Sequence, residues 1–152
     1  MPTTHDTDVL VIGAGPVGLS FAMDQVARGS RVTLVEVRRY AEPPSVKCNH
    51  VASRTMERFR KLGVASKLRN AGLPEDYPND VVFRTAMTGQ ELTRIPIPGR
   101  RDRYTAKVGP DTHWQTPEPP HRINQIYLEP ILLEHAAGMP GVTLLPFSNE
   151  TP

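Results

Sequence analysis

Val9, Leu10, Val11 and Ile12 form an apolar run without alternation, the pattern of a strand buried on both faces, here over residues 8–12. Helical spacing follows over residues 16–28, with Pro16 in a first turn that has no use for its N–H and Gly29 closing the end. A second apolar run (Val32, Leu34, Val35) predicts a buried strand over 31–36, so the chain opens with a βαβ unit. Residues 53–62 are a predicted helix with Ser53 as N-cap, and 64–71 prolong the helical region past Gly63. The period then changes. Residues 81–86 and 91–97 flank the turn signal Thr88-Gly89 and read as an antiparallel hairpin. Residues 99–120 are mostly loop. The helical period returns at Ile126, Leu128, Ile131, Leu132 and Ala136, predicting a helix over 125–137 with Pro130 in its first turns, and residues 142–145 make a closing strand.

Composition narrows the classes. A chain of 152 residues, 38% hydrophobic and 22% charged, has the bulk of one ordinary globular domain, and its 16 prolines predict long irregular connections. Eighteen basic against 16 acidic residues, interleaved and seldom beside aromatics, argue against a nucleic-acid surface. The uncharged stretch 9–23 is too short and too broken by Gly13, Gly15, Pro16 and Gly18 to span a membrane, and Asp6 and Asp8 stand where a signal peptide would be basic. One cysteine, Cys48, forms no internal disulfide and is read as structural, so the expected compartment is the cytoplasm. No histidine falls at metal-ligand spacing, and no metal is expected.

The chemical signal is Gly13-Ala14-Gly15-Pro16-Val17-Gly18 between the first strand and first helix, with Glu36 ending the second strand. Gly13 allows the tight turn, Gly15 lets a pyrophosphate approach the backbone, and Gly18 lets the helix pack closely on the sheet. Unpaired N–H groups and the positive end of the helix dipole favour phosphate there. Glu36 is placed to accept both ribose hydroxyls of an adenosine and to repel a 2′-phosphate, which points to FAD or NAD and away from NADP. A simple NAD domain would continue with a third parallel strand soon after Glu36; here a helix, a proline-rich segment and a hairpin intervene.

In that order of elements the chain resembles the FAD-dependent aromatic hydroxylases, the flavoprotein monooxygenases that include p-hydroxybenzoate hydroxylase and phenol hydroxylase. The resemblance is carried by residues 9–19, by Ser53-Arg54-Thr55-Met56-Glu57-Arg58-Phe59-Arg60-Lys61-Leu62-Gly63, and by Arg122-Ile123-Asn124-Gln125-Ile126-Tyr127-Leu128-Glu129. It implies that Lys47 takes the place of a basic residue, usually arginine, that contacts the FAD pyrophosphate and ribose. Gln125 matches a glutamine that hydrogen-bonds the cofactor. The family commonly has arginine directly after the ribose-binding acid; this chain has Val37 there and offers Arg38 or Arg39 next. The implied cofactor-binding set is Gly13, Gly15, Pro16, Gly18, Glu36, Arg38, Lys47 and Gln125, with no catalytic residue in this stretch.

The implied fold is α/β, a Rossmann-type FAD-binding βαβ unit with an inserted hairpin. Residues 1–72 and 121–152 are its nucleotide-binding parts, 80–98 the hairpin that begins a substrate region, and 99–120 a proline-rich loop. The implied reaction hydroxylates a phenol-like substrate with NAD(P)H and O₂. Two further family motifs, an Asp-Gly and a Gly-Asp pair, lie beyond the equivalent of Pro152, so the chain is expected to be incomplete relative to the family fold, inactive alone, and a partner for a complementary C-terminal segment or chain or for a second copy. Two other classes stay open: an NAD-dependent dehydrogenase or other FAD oxidoreductase, and a non-catalytic nucleotide-binding fragment. The series Arg54, Arg58, Lys61 is read as a solvated helix face, and Trp114 as a loop anchor.

Overall fold

The computed structural model describes residues 6–38, 47 and 49–146. In chain order its elements are β1 (Val9–Ile12), α1 (Pro16–Ala27), β2 (Val32–Glu36), β3 (His50–Val51), α2 (Ser53–Lys61), α3 (Ala65–Arg69), β4 (Val81–Arg84), β5 (Glu91–Ile95), β6 (His121–Arg122), α4 (Gln125–Ala137) and β7 (Val142–Pro146). The architecture is mixed α/β. Three strands form a parallel sheet ordered β1-β2-β7, in which Val32 of β2 lies between Val9 and Val142. β2 is central because the strand that completes it comes from the far end of the chain.

One face of that sheet makes the core. Val11, Val32 and Leu34 cluster with Leu19, Ala22 and Met23 of α1 and with Leu128, Leu132 and Ala136 of α4. Met56 and Phe59 of α2, with Leu68 of α3, extend the same cluster. The opposite face is open at β1, where Leu10 is 58% and Ile12 84% exposed. This corrects the expectation of a strand buried on both sides. Both helices lie on the face that Val9 and Val11 present, and alternation along the strand turns Leu10 and Ile12 away from them.

Helix ends follow local chemistry. α1 begins at Pro16 and stops before Gly29, whose φ of +92° suits glycine. The predicted N-cap of α2 was Ser53; the cap is Ala52, which offers no side-chain acceptor, and Ser53 is the first helical residue. Gly63, at φ +80°, separates α2 from α3. Here the His135 Nε2–H of α4 donates to the Leu62 carbonyl at 2.8 Å and satisfies the end of α2. α4 starts as predicted at Gln125, capped by Asn124, whose Oδ1 accepts the Ile126 N–H at 3.1 Å. Pro130 is carried inside it.

β4 and β5 pair antiparallel with an irregularity at Phe83/Arg84, the predicted hairpin. A second antiparallel pair, His50 with Arg122 and Val51 with His121, was not predicted, since two residues carry no readable period. It stitches the segment before α2 to the segment before α4. In the intervening loop Trp114 meets the ring of Tyr104 edge-on at 6.0 Å, in keeping with an anchor.

Candidate functional site

The turn from β1 into α1 is tied to the sheet by the Gly13 N–H, which donates to the Val35 carbonyl at 2.7 Å. Gly13 has φ +104°, a conformation side chains resist. A β-carbon on Gly18 would stand 1.9 Å from the Gly13 carbonyl oxygen, so its bareness is required by helix-on-turn packing. Gly15 is different: a β-carbon there would meet nothing within 4 Å among the described residues. Helical bonding begins only with Leu19 N–H to the Gly15 carbonyl at 3.0 Å, so the N–H groups of Val17 and Gly18 precede the ladder at the helix's positive end.

Glu36 ends β2 beside this turn. Its Oε2 accepts the Ala14 N–H at 2.7 Å and an Arg38 guanidinium N–H at 3.2 Å, and its Oε1 accepts the Arg38 backbone N–H at 3.0 Å. Burial alone would raise the carboxyl pKa; the bonds from Arg38 and Ala14 outweigh it and hold the group at about 2. Of about four lone-pair sites on a carboxylate, three are thus engaged within the chain. A ribose hydroxyl finds room for about one more bond, and accepting two requires Arg38 to withdraw.

Arg38 faces inward. Its other guanidinium nitrogen donates to Glu129 Oε2 of α4 at 2.8 Å, and the two carboxylates raise its pKa. Glu129, 5% exposed, also accepts a hydrogen bond from the Gln125 side-chain amide. A continuous path therefore runs from the glycine turn through Glu36, Arg38 and Glu129 to Gln125. The sequence shows Glu129 only as part of a motif, and its pairing with Arg38, 91 positions away, leaves no local signal.

Pro16 and Gln125 meet in a cleft of about 320 Å³ between the starts of α1, α2 and α4, lined also by His50, Val51, Ala52, Thr55, Phe59, Ile123 and Leu128. Glu36 and Arg38 lie outside its lining. Lys47 is exposed and does not line it either. Arg39 and Cys48 fall outside the described residues. Among the described residues there is no group of three or more His, Cys, Asp or Glu suited to a metal ion, and no helix long and apolar enough to cross a membrane.

This arrangement suits FAD on the protein's own terms. An open glycine, helix N–H groups and an ionised acid sit at one end, and a cleft ending at Gln125 sits at the other. Comparison with known proteins agrees. Residues 6–151 match the family described as FAD binding domain. Phenol 2-monooxygenase of Pseudomonas sp. (strain EST1001) is 34% identical over 147 residues, 95% of this chain and 23% of that protein. Aklavinone 12-hydroxylase DnrF of Streptomyces peucetius subsp. caesius is 37% identical over 139 residues, 89% of this chain and 27% of that protein. Among solved structures, RebC with bound 7-carboxy-K252c superposes with a TM-score of 0.78 at 32% identity, over 93% of this chain and 26% of that one. The flavin-dependent monooxygenase PieE, in complex with FAD and substrate, gives 0.73 at 26% identity over 95% and 24%. The chain spans about a quarter of the length of the relatives it matches.

Proposed function

The chain belongs to the FAD-binding domain family of flavin-dependent aromatic monooxygenases, and from that premise we propose that it binds the ADP half of FAD within an enzyme that hydroxylates a phenol-like substrate using NAD(P)H and O₂. The observation that carries this reading is the contrast between the glycines: Gly18 is bare because the fold needs it, whereas among the described residues nothing requires Gly15 to be bare. A pyrophosphate approaching the backbone supplies the missing reason.

In this reading Gly13 and Gly18 shape the turn, and the Val17 and Gly18 N–H groups of α1 donate to phosphate. Glu36 accepts a ribose hydroxyl, fixed in ionised form by Ala14 and Arg38. Gln125 borders the cleft along which the cofactor continues, and exposed Lys47 adds positive charge toward the phosphates. When bound, FAD supplies the redox chemistry, and the balance is an aromatic C–H, O₂, NAD(P)H and a proton giving C–OH, water and NAD(P)⁺. The protein contributes placement and exclusion of water.

The rest of the assignment follows the same premise. Residues 1–72 and 121–152 are the nucleotide-binding parts, 80–98 begin the substrate region, and a complementary C-terminal segment or chain, in the cytoplasm, provides further walls of the site. Titration of FAD against the protein, followed by flavin fluorescence, tests the reading, with NAD as the competitor. Release of FAD from the denatured protein supports it; tight NAD binding with no flavin affinity overturns it.

A further inference from the structure

Away from the glycine turn, four arginines from three parts of the chain line one small cavity. They are Arg69 of α3, Arg100 and Arg103 of the proline-rich loop, and Arg122 of β6. The cavity measures about 30 Å³, room for one small ion or one water. Two carboxylates reach this group: Asp111 stands 3.8 Å from Arg103 and 3.4 Å from Arg122, and Glu118 stands 2.9 Å from Arg69. Glu118 is also shared outward with Arg60 at 3.9 Å, and Asp111 lies 4.0 Å from His50, whose pKa burial lowers. Four guanidinium charges are thus set against two negative ones.

The interior donors are also under-supplied. The Arg103 side chain is 5% exposed, and its guanidinium donates at 3.2 Å to two neutral acceptors, the carbonyls of Asp111 and Pro98. Among the described residues the buried Nε–H groups of Arg100 and Arg122 find no acceptor, while another nitrogen of each guanidinium donates, Arg100 to the Arg69 carbonyl and Arg122 to Asp111. A buried charged donor left without a partner is costly, and an acceptor that enters the cavity removes that cost. Burial lowers the Arg103 pKa, Asp111 opposes it, and Arg69 and Arg122 lower it further; burial lowers that of His121, the bond to Leu68 opposes it, and Arg69, Arg100 and Arg103 lower it further.

We propose that this cavity is a binding site for a small monovalent anion of halide size, with chloride as the solution occupant. Its small volume favours a halide over bulkier anions, and its charge favours an anion over water. Such an ion would clamp the loop to α3 and β6. Arg122 lies two residues before the Asn124 cap and three before Gln125, so the clamp also steadies the strand that leads into α4. The inference does not depend on which nucleotide the chain binds.

Thermal unfolding in sodium chloride, bromide and gluconate at equal ionic strength tests it. A general salt effect ranks strongly hydrated anions above halides. Specific binding reverses that order, with a saturable rise of about 3–6 °C at tenfold-saturating halide. Arg100→Gln should lose the halide increment and Arg100→Lys should keep part of it. Chloride-35 line broadening on the unmutated protein, displaced by bromide, reads the same site should the Gln variant fail to fold. Halide increments with matching broadening establish the site. Equal stability in all three salts, or gluconate ranked highest, with no broadening, leaves water as the occupant and overturns the proposal.

Discussion

Gly15 and Gly18 are three residues apart and should fail differently when given a side chain. Gly15→Val adds atoms into open space, so the protein should fold and express while adenine-nucleotide binding is lost; unchanged FAD affinity would refute the assignment of the pyrophosphate. Gly18→Ala drives a methyl to 1.9 Å from the Gly13 carbonyl, and thermal unfolding should show a loss of stability with or without nucleotide. Glu36→Gln should weaken FAD by about 1–3 kcal/mol by titration, the scale of a lost charge-assisted hydrogen bond. The glycines and Glu36 were legible from sequence because their spacing reports backbone geometry directly. The inward turn of Arg38 was not, since its partner Glu129 lies 91 positions away and nothing local marks the pairing. In the structure Arg38 bonds Glu36 directly and reaches Gln125 through Glu129. A double-mutant cycle on FAD affinity between Arg38→Met and Glu129→Gln should show strong non-additivity; simple additivity would separate the two residues.

At the level of elements, period was the reliable guide and burial was not. The α4 boundaries and the hairpin followed from spacing, whereas the exposed side of β1 depends on which face the helices choose, and two-residue β3 and β6 have no period to read. The β3–β6 pair has a pH consequence. His121 is buried, and its Nε2–H donates to the Leu68 carbonyl at 2.9 Å. Burial first, then the nearby arginines, lower its pKa from the usual 6.5 to about 4, against the bond to Leu68, which raises it. The fold therefore favours neutral His121. Its contribution is complete above pH 6.5 and is lost as pH falls toward 4, where the unfolded chain binds the extra proton. The loss is on the order of 3 kcal/mol. Glu36 acts in a lower window, from 4.5 down to about 2, so the two should appear as separate steps. His121→Gln should flatten the upper step in a pH series of unfolding midpoints; an unaltered profile would show that another group titrates there.

For the whole molecule, the 152-residue chain assayed with FAD, NAD(P)H, O₂ and a panel of phenols should form no product, even where it binds FAD. Oxygen transfer needs the reacting ring held to within about 1 Å of its productive position, and the cleft beside Gln125 is open to solvent. Product matched to NAD(P)H consumption would refute this. The sheet order adds a temporal consequence. β2 is flanked by strands from opposite ends of the chain, so Val32 has its neighbour Val9 at once, but waits more than a hundred residues of synthesis for Val142. Pairings so distant in sequence close late, whereas the β4–β5 hairpin is local and can form early. On the ribosome, then, β2 gains one neighbour early and the other only after the hairpin has been made. Nascent chains arrested before β7 emerges should leave β2 open to protease, and protection should arrive in one step once residues 142–146 clear the exit tunnel.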